Sequence, residues 1–106
     1  MDKATAISDA QKYAKLVTAE INPAKIILFG SYAASRFHEQ SDIDVAVVMD
    51  DLDSEFLNIS IRLNRLTSKV NNRIEPILLS SKNDPSGFLQ TIMKQGILLY
   101  ERKNNS

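Results

Sequence analysis

Two apolar runs flanking a short polar interval constrain this chain more than any other feature. Lys25 to Phe29 (KIILF) ends at Gly30-Ser31, and Ile43 to Met49 (IDVAVVM) opens after Ser41-Asp42. Continuous apolar runs of this length suit strands covered on both faces. In the second run, strand alternation places Ile43, Val45 and Val47 on one face. Asp42, Asp44, Ala46 and Val48 fall on the other. Carboxylates at i and i+2 share a face with their Cα atoms roughly 6.5–7 Å apart, so both can lean toward the same divalent ions. The small Ala46 predicts room for a ligand to approach on that face.

The flanking segments supply helices. Residues 3–21 carry Ile7, Ala10, Ala14, Val17 and Ile21 on one helical stripe, and Asn22-Pro23 ends that pattern. Residues 31–36 suit a single helical turn and 37–40 a loop. Residues 54–71 repeat Phe56, Ile59, Leu63, Leu66 and Val70 at helical spacing, with Asp53 or Ser54 as cap. Residues 73–80 read as a third strand. Pro76 cannot donate to a ladder, so that strand belongs at an edge or an irregularity. Asp84 and Pro85 start a short helix through Gln95, Gly96 takes the favoured C-terminal position, and Ile97 to Tyr100 is a last strand before a frayed polar tail, 101–106. The expected class is α/β (α+β): one domain over residues 1–106, with a small mixed sheet of about four strands and helices mainly on one face.

Composition narrows the function. The chain has 106 residues, 13 basic and 13 acidic side chains and no cysteine. Zero net charge argues against strong duplex nucleic-acid binding. Disulfides and thiolate metal sites are excluded. No apolar run approaches the ~20 residues of a membrane span, and the N-terminus lacks the apolar region of a signal peptide, so the expected location is the cytoplasm.

A Gly-Ser turn after a strand can present backbone N–H groups to a phosphate. Gly30-Ser31 is not a Walker A loop, since no Gly-Lys-Ser/Thr follows at the required spacing. Its meaning comes from its interval to Asp42 and Asp44. Magnesium prefers carboxylate and phosphate oxygens, and a pair of such ions can activate an attacking oxygen and stabilise a leaving pyrophosphate. His38, the only histidine, has no partner motif and reads as an ordinary loop residue.

Gly30-Ser31, ten intervening residues and then Asp42-Ile43-Asp44 resemble the signature of the polymerase β-like nucleotidyltransferases. The closest resemblance is to the minimal nucleotidyltransferase (MNT) domains found beside HEPN-domain proteins. It extends to Tyr32-Ala33, to Ser41, and to the closing segment from Phe88 through Gly96-Ile97-Leu98-Leu99-Tyr100-Glu101. The resemblance implies a polymerase β-like fold, Mg²⁺ in a two-ion site, ATP as donor, and transfer of a nucleoside monophosphate to a hydroxyl. It assigns Asp42, Asp44 and a third carboxylate, Glu75, to metal binding and catalysis. It gives Gly30, Ser31, Tyr32, Arg36 and Ser41 to the nucleotide; from sequence, Tyr32 can sit over the nucleotide or pack beneath the loop. The family often carries a basic residue and then glycine where this chain has Ala34 and Ser35, with Arg36 as the replacement charge.

With no second domain expected, the acceptor side must come from a partner or a second copy, so an oligomer is expected. The resemblance implies a HEPN-type toxin modified on a tyrosine, with this chain as antitoxin. Two other readings stay open: a binding module that neutralises a HEPN partner by stoichiometric association, and a small-molecule transferase acting on an aminoglycoside-like hydroxyl.

Overall fold

The computed structural model describes residues 1–52 and 54–103. In chain order it contains helix α1 (Lys3–Glu20), strand β1 (Lys25–Phe29), the one-turn helix α2 (Gly30–Ala33), β2 (Ile43–Met49), α3 (Phe56–Thr67), β3 (Ile74–Ser80), α4 (Phe88–Gln95) and β4 (Ile97–Glu101). The sheet order is β3-β2-β1-β4. β1 is antiparallel to both β2 and β4, and β2 is parallel to β3. Pro76 therefore lies on an edge strand, as its missing N–H requires.

Strand alternation builds two cores. Ile26, Leu28, Ile43, Val45, Val47 and Ile74 face α1 and α3, where they meet Ala10, Tyr13, Val17, Ile59, Leu63 and Leu66. Ile27, Ala46 and Val48 face the opposite way, against Leu89 and Ile92 of α4. Ala46 thus does not leave the approach for ligand that its size suggested. It is fully buried, because a small side chain lets α4 settle onto the sheet.

Helix α1 is capped by Asp2, whose carboxylate accepts from Thr5 N at 2.8 Å. Its buried stripe is Ala6, Ala10, Tyr13, Ala14 and Val17, turned away from the expected one so that Ile7 and Ile21 are only partly covered. Tyr13 decides the rotation. Its ring enters the core and its hydroxyl donates to the Leu63 carbonyl at 2.6 Å, meeting the need of a buried phenol for an acceptor.

Helix α3 is shorter than the expected 54–71. Ser54 does not cap it, the residue before Phe56 makes no side-chain cap bond, and Asp53 lies outside the described residues. The Lys69 and Val70 amides bond three residues back, each at 3.1 Å, and this tightening ends the helix at Thr67. Phe56, expected in the core, is half exposed.

Helix α4 begins at Phe88, later than Asp84-Pro85 suggested, yet Asp84 still caps it. Its carboxylate accepts from Leu89 N (3.0 Å) and Gln90 N (3.1 Å) across the intervening turn. Gly96 ends α4 in extended backbone at φ −89° rather than in the left-handed C-terminal form. It is needed for close approach instead, since a Cβ there would lie 2.6 Å from Ile27 Cγ2. The tail is partly ordered: Glu101 belongs to β4 and bridges Lys25, and Arg102 pairs with Asp50 at 2.7 Å. Residues 104–106 lie outside the described residues. Among the described residues no helix is long and apolar enough to cross a membrane.

Candidate active site

Helix α4 covers only part of its face of the sheet. On the remainder stand three carboxylates. Asp44 on β2 is in register with Glu75 on β3 and, on its other side, with Phe29 on β1. Residues in register on neighbouring strands point to one face, with backbones ~4.8 Å apart. Asp42 precedes Asp44 by two residues, just before β2 begins. Asp42 and Glu75 are exposed, whereas Asp44 is half-buried.

This arrangement shifts Asp44. Burial, and then the charges of Asp42 and Glu75, hold its carboxyl above the usual carboxylate range. Phe29 beside it packs edge to face on Phe88, with ring centroids 5.7 Å apart, which puts an apolar wall along that flank. Among the described residues no three acidic or histidine side chains converge into a ready-made cation cage.

The turn after β1 closes directly onto Asp44. Gly30 has φ +75°, and a Cβ there would overlap the Asp44 carboxylate oxygen and lie 3.1 Å from its Cγ. Glycine is required twice over, by backbone and by space. Gly30-Ser31 then opens α2, which ends in a Schellman cap: Arg36 N donates to Ser31 O (2.8 Å) and Ser35 N to Tyr32 O (3.3 Å). Ser35 fills the left-handed position of that cap at φ +58°. The shape expected of a glycine is therefore kept by a serine.

The other expected nucleotide residues divide. Arg36 is exposed and makes no ion pair among the described residues. Tyr32 does not face a nucleotide. It is fully buried, its ring stacked on Phe37 at 4.6 Å, because α2 turns this side chain under the loop toward the helical core. Ser41 is also buried. Its hydroxyl accepts from His38 N at 2.8 Å and its amide donates to His38 O at 3.0 Å, so it closes the loop that delivers Asp42 rather than facing a ligand. His38 is a loop residue, as expected. The structure brings Gly30, Ser31, Asp42, Asp44 and Glu75 to one end of the sheet. It adds two contributors that the sequence did not reveal: Phe29 with Phe88, and Lys3, whose ammonium donates to Ser35 Oγ at 2.7 Å. Cross-strand register could have pointed to Phe29; nothing local could have pointed to Lys3.

Two grooves lie away from the carboxylates. One of about 560 Å³ runs between α1 and β4, lined by Lys12, Lys15, Thr18 and Tyr100 among others. Another of about 420 Å³ lies between α1 and the segment after α3. The carboxylates themselves stand on an open face.

The family described as polymerase beta, nucleotidyltransferase matches residues 11–105. The chain belongs to this nucleotidyltransferase family. A candidate protein adenylyltransferase from Methanocaldococcus jannaschii is 35% identical over 77 residues, spanning 72% of this chain and 77% of that protein. Two solved toxin–antitoxin complexes are similar in structure. One, with AMP-PNP, matches at 26% identity and TM-score 0.62, over 88% of this chain and 74% of that one. The other, from Shewanella oneidensis, holds a tri-AMPylated HEPN toxin with an MNT antitoxin. It matches at 26% identity and TM-score 0.61, over 92% and 73% of the two chains. The chain is thus an enzyme of the nucleotidyl-transfer class with a polymerase β-like fold.

Proposed function

We propose that this nucleotidyltransferase moves AMP from ATP to a hydroxyl, and that the acceptor is a tyrosine on a HEPN-type toxin which the chain thereby silences as antitoxin. The observation that carries this reading is the grouping of Asp42, Asp44 and Glu75 beside the Gly30-Ser31 turn. The modified toxin in the Shewanella complex and the AMP-PNP in its counterpart support AMP, ATP and the partner class.

The donor set suits Mg²⁺. Asp42 and Glu75 flank Asp44, whose carboxyl is held high by burial and then by their charges; a divalent cation would favour its ionised form. Asp42, Asp44 and Glu75 would hold the metal, with phosphate oxygens completing its shell. When bound, the metal neutralises charge on the phosphates and on the departing pyrophosphate. The chain's own groups do the rest. The amides of the Gly30-Ser31 turn orient the triphosphate. Glu75, exposed at the sheet edge, accepts the proton of the acceptor hydroxyl as its oxygen bonds to the α-phosphorus and the bond to pyrophosphate breaks. The rate gain comes mostly from positioning and charge neutralisation.

The stoichiometric-binder alternative rests on the two departures from the family pattern, Ala34 and Ser35. Ser35 takes the left-handed conformation that glycine would take, which answers the missing glycine; the basic residue absent at Ala34 still favours the binder. Incubation with a HEPN-type partner, ATP and Mg²⁺ tests the reading. Intact mass should show AMP added to a partner tyrosine, with loss of toxin activity. A partner that is silenced without gaining mass would establish the binder instead.

A further inference from the structure

The cap that ends α2 has an unusual occupant and an unusual support. A Schellman cap places its C′ residue in the left-handed region, where L side chains are disfavoured and glycine is the usual choice. Ser35 stands there at φ +58°, the one non-glycine residue with positive φ among the described residues. Its own neighbours do not hold its hydroxyl. Lys3, 32 residues away in the first turn of α1, donates from Nζ to Ser35 Oγ at 2.7 Å. The same end of the molecule ties the loop again, more weakly, through Tyr32 OH to the Met1 carbonyl at 3.5 Å.

From this geometry we infer that Lys3 is a positioning residue for the donor nucleotide. Its ammonium pins Ser35 in the left-handed form, which keeps Arg36 N on Ser31 O (2.8 Å) and Ser35 N on Tyr32 O (3.3 Å). Those bonds fix α2, and α2 fixes the Gly30-Ser31 turn against Asp44. Released, Ser35 relaxes toward negative φ, the cap opens, and the turn loses the shape that meets the phosphates. The role in nucleotide binding rests on the function proposed above; the hold on the loop does not.

The chemistry defines a discriminating set of variants. Lys3→Met keeps the aliphatic stem and removes the donor, Lys3→Arg restores one, and Ser35→Gly removes the backbone penalty together with the acceptor. In the ligand-free protein, amide exchange at Ser35 and Arg36 should quicken about three- to tenfold in Lys3→Met, return in Lys3→Arg, and be insensitive to Lys3 when residue 35 is glycine. Binding of Mg²⁺·AMP-PNP should weaken by a similar factor in Lys3→Met and stay at the wild-type level in Lys3→Met combined with Ser35→Gly. Thermal midpoints serve as the check that each variant folds. Unchanged exchange in Lys3→Met overturns the inference. Equal loss of binding with serine or glycine at 35 also overturns it, because Lys3 would then touch the ligand rather than the loop. Wild-type protein that fails to bind Mg²⁺·AMP-PNP refutes the functional reading, while the exchange result still decides what Lys3 does to the loop.

Discussion

Gly30 and Asp44 are in contact across the β1–β2 hairpin, and the contact is too close for any side chain at residue 30. A Cβ there would overlap the Asp44 carboxylate, and the backbone at φ +75° already disfavours an L residue. Asp44 and the Gly30-Ser31 turn are therefore one unit of packing. Gly30→Ala should lower stability by about 2–4 kcal/mol, from the left-handed backbone plus the overlap, and reduce the melting temperature by roughly 10 °C or more. Calorimetric unfolding measures this, and a change below 2 °C would show that the turn can move away from Asp44 freely.

Asp44 should weaken the fold at neutral pH. Its folded-state carboxyl titrates above its unfolded value, chiefly through burial and then through Asp42 and Glu75. The preference for neutral Asp44 is fully present below the unfolded pKa and is lost as pH rises through the folded one. At neutral pH the ionised group is thus a net cost. Asp44→Asn should therefore melt higher than the wild type in metal-free buffer at neutral pH. The gain should shrink toward zero near pH ~3, where Asp44 is neutral in both states. Thermal melts of both proteins across that range check the sign; a gain that grows on acidification would contradict it.

Tyr32 separates packing from ligand contact. Its ring is fully buried and stacked on Phe37, so Tyr32→Ala should cost about 3–5 kcal/mol. Tyr32→Phe removes only a hydroxyl with one long bond to Met1 O and should leave both stability and the KM for ATP within about twofold. A large rise in KM for Tyr32→Phe would return this residue to the nucleotide site.

What the sequence reveals here follows from how locally each feature is determined. Strands β1 and β2 were legible because their apolar runs and the alternation of Asp42 and Asp44 with Ile43 and Val45 are properties of the chain itself. Glu75 was legible as a family position, and its register with Asp44 is what the fold supplies. Tyr13 was not legible, because its burial depends on a carbonyl of α3, 50 residues away. Ala46 misled, because α4 fills the space that a small residue leaves. Tyr32 and Ser41 sit inside the motif that resembles the family, yet a motif does not say which of its side chains turn inward. Lys3 has no motif; only tertiary packing brings it to Ser35.

On the proposed function, Asp42, Asp44 and Glu75 act as one metal-dependent nucleotide centre. Titration calorimetry with AMP-PNP, with and without Mg²⁺, tests it most directly on the wild-type chain and on Asp42→Asn, Asp44→Asn and Glu75→Gln. Binding should require Mg²⁺ and weaken at least ~tenfold in each aspartate variant, with Glu75→Gln intermediate and every variant folded. Affinity that is indifferent to Mg²⁺ and unchanged in Asp44→Asn would contradict the account.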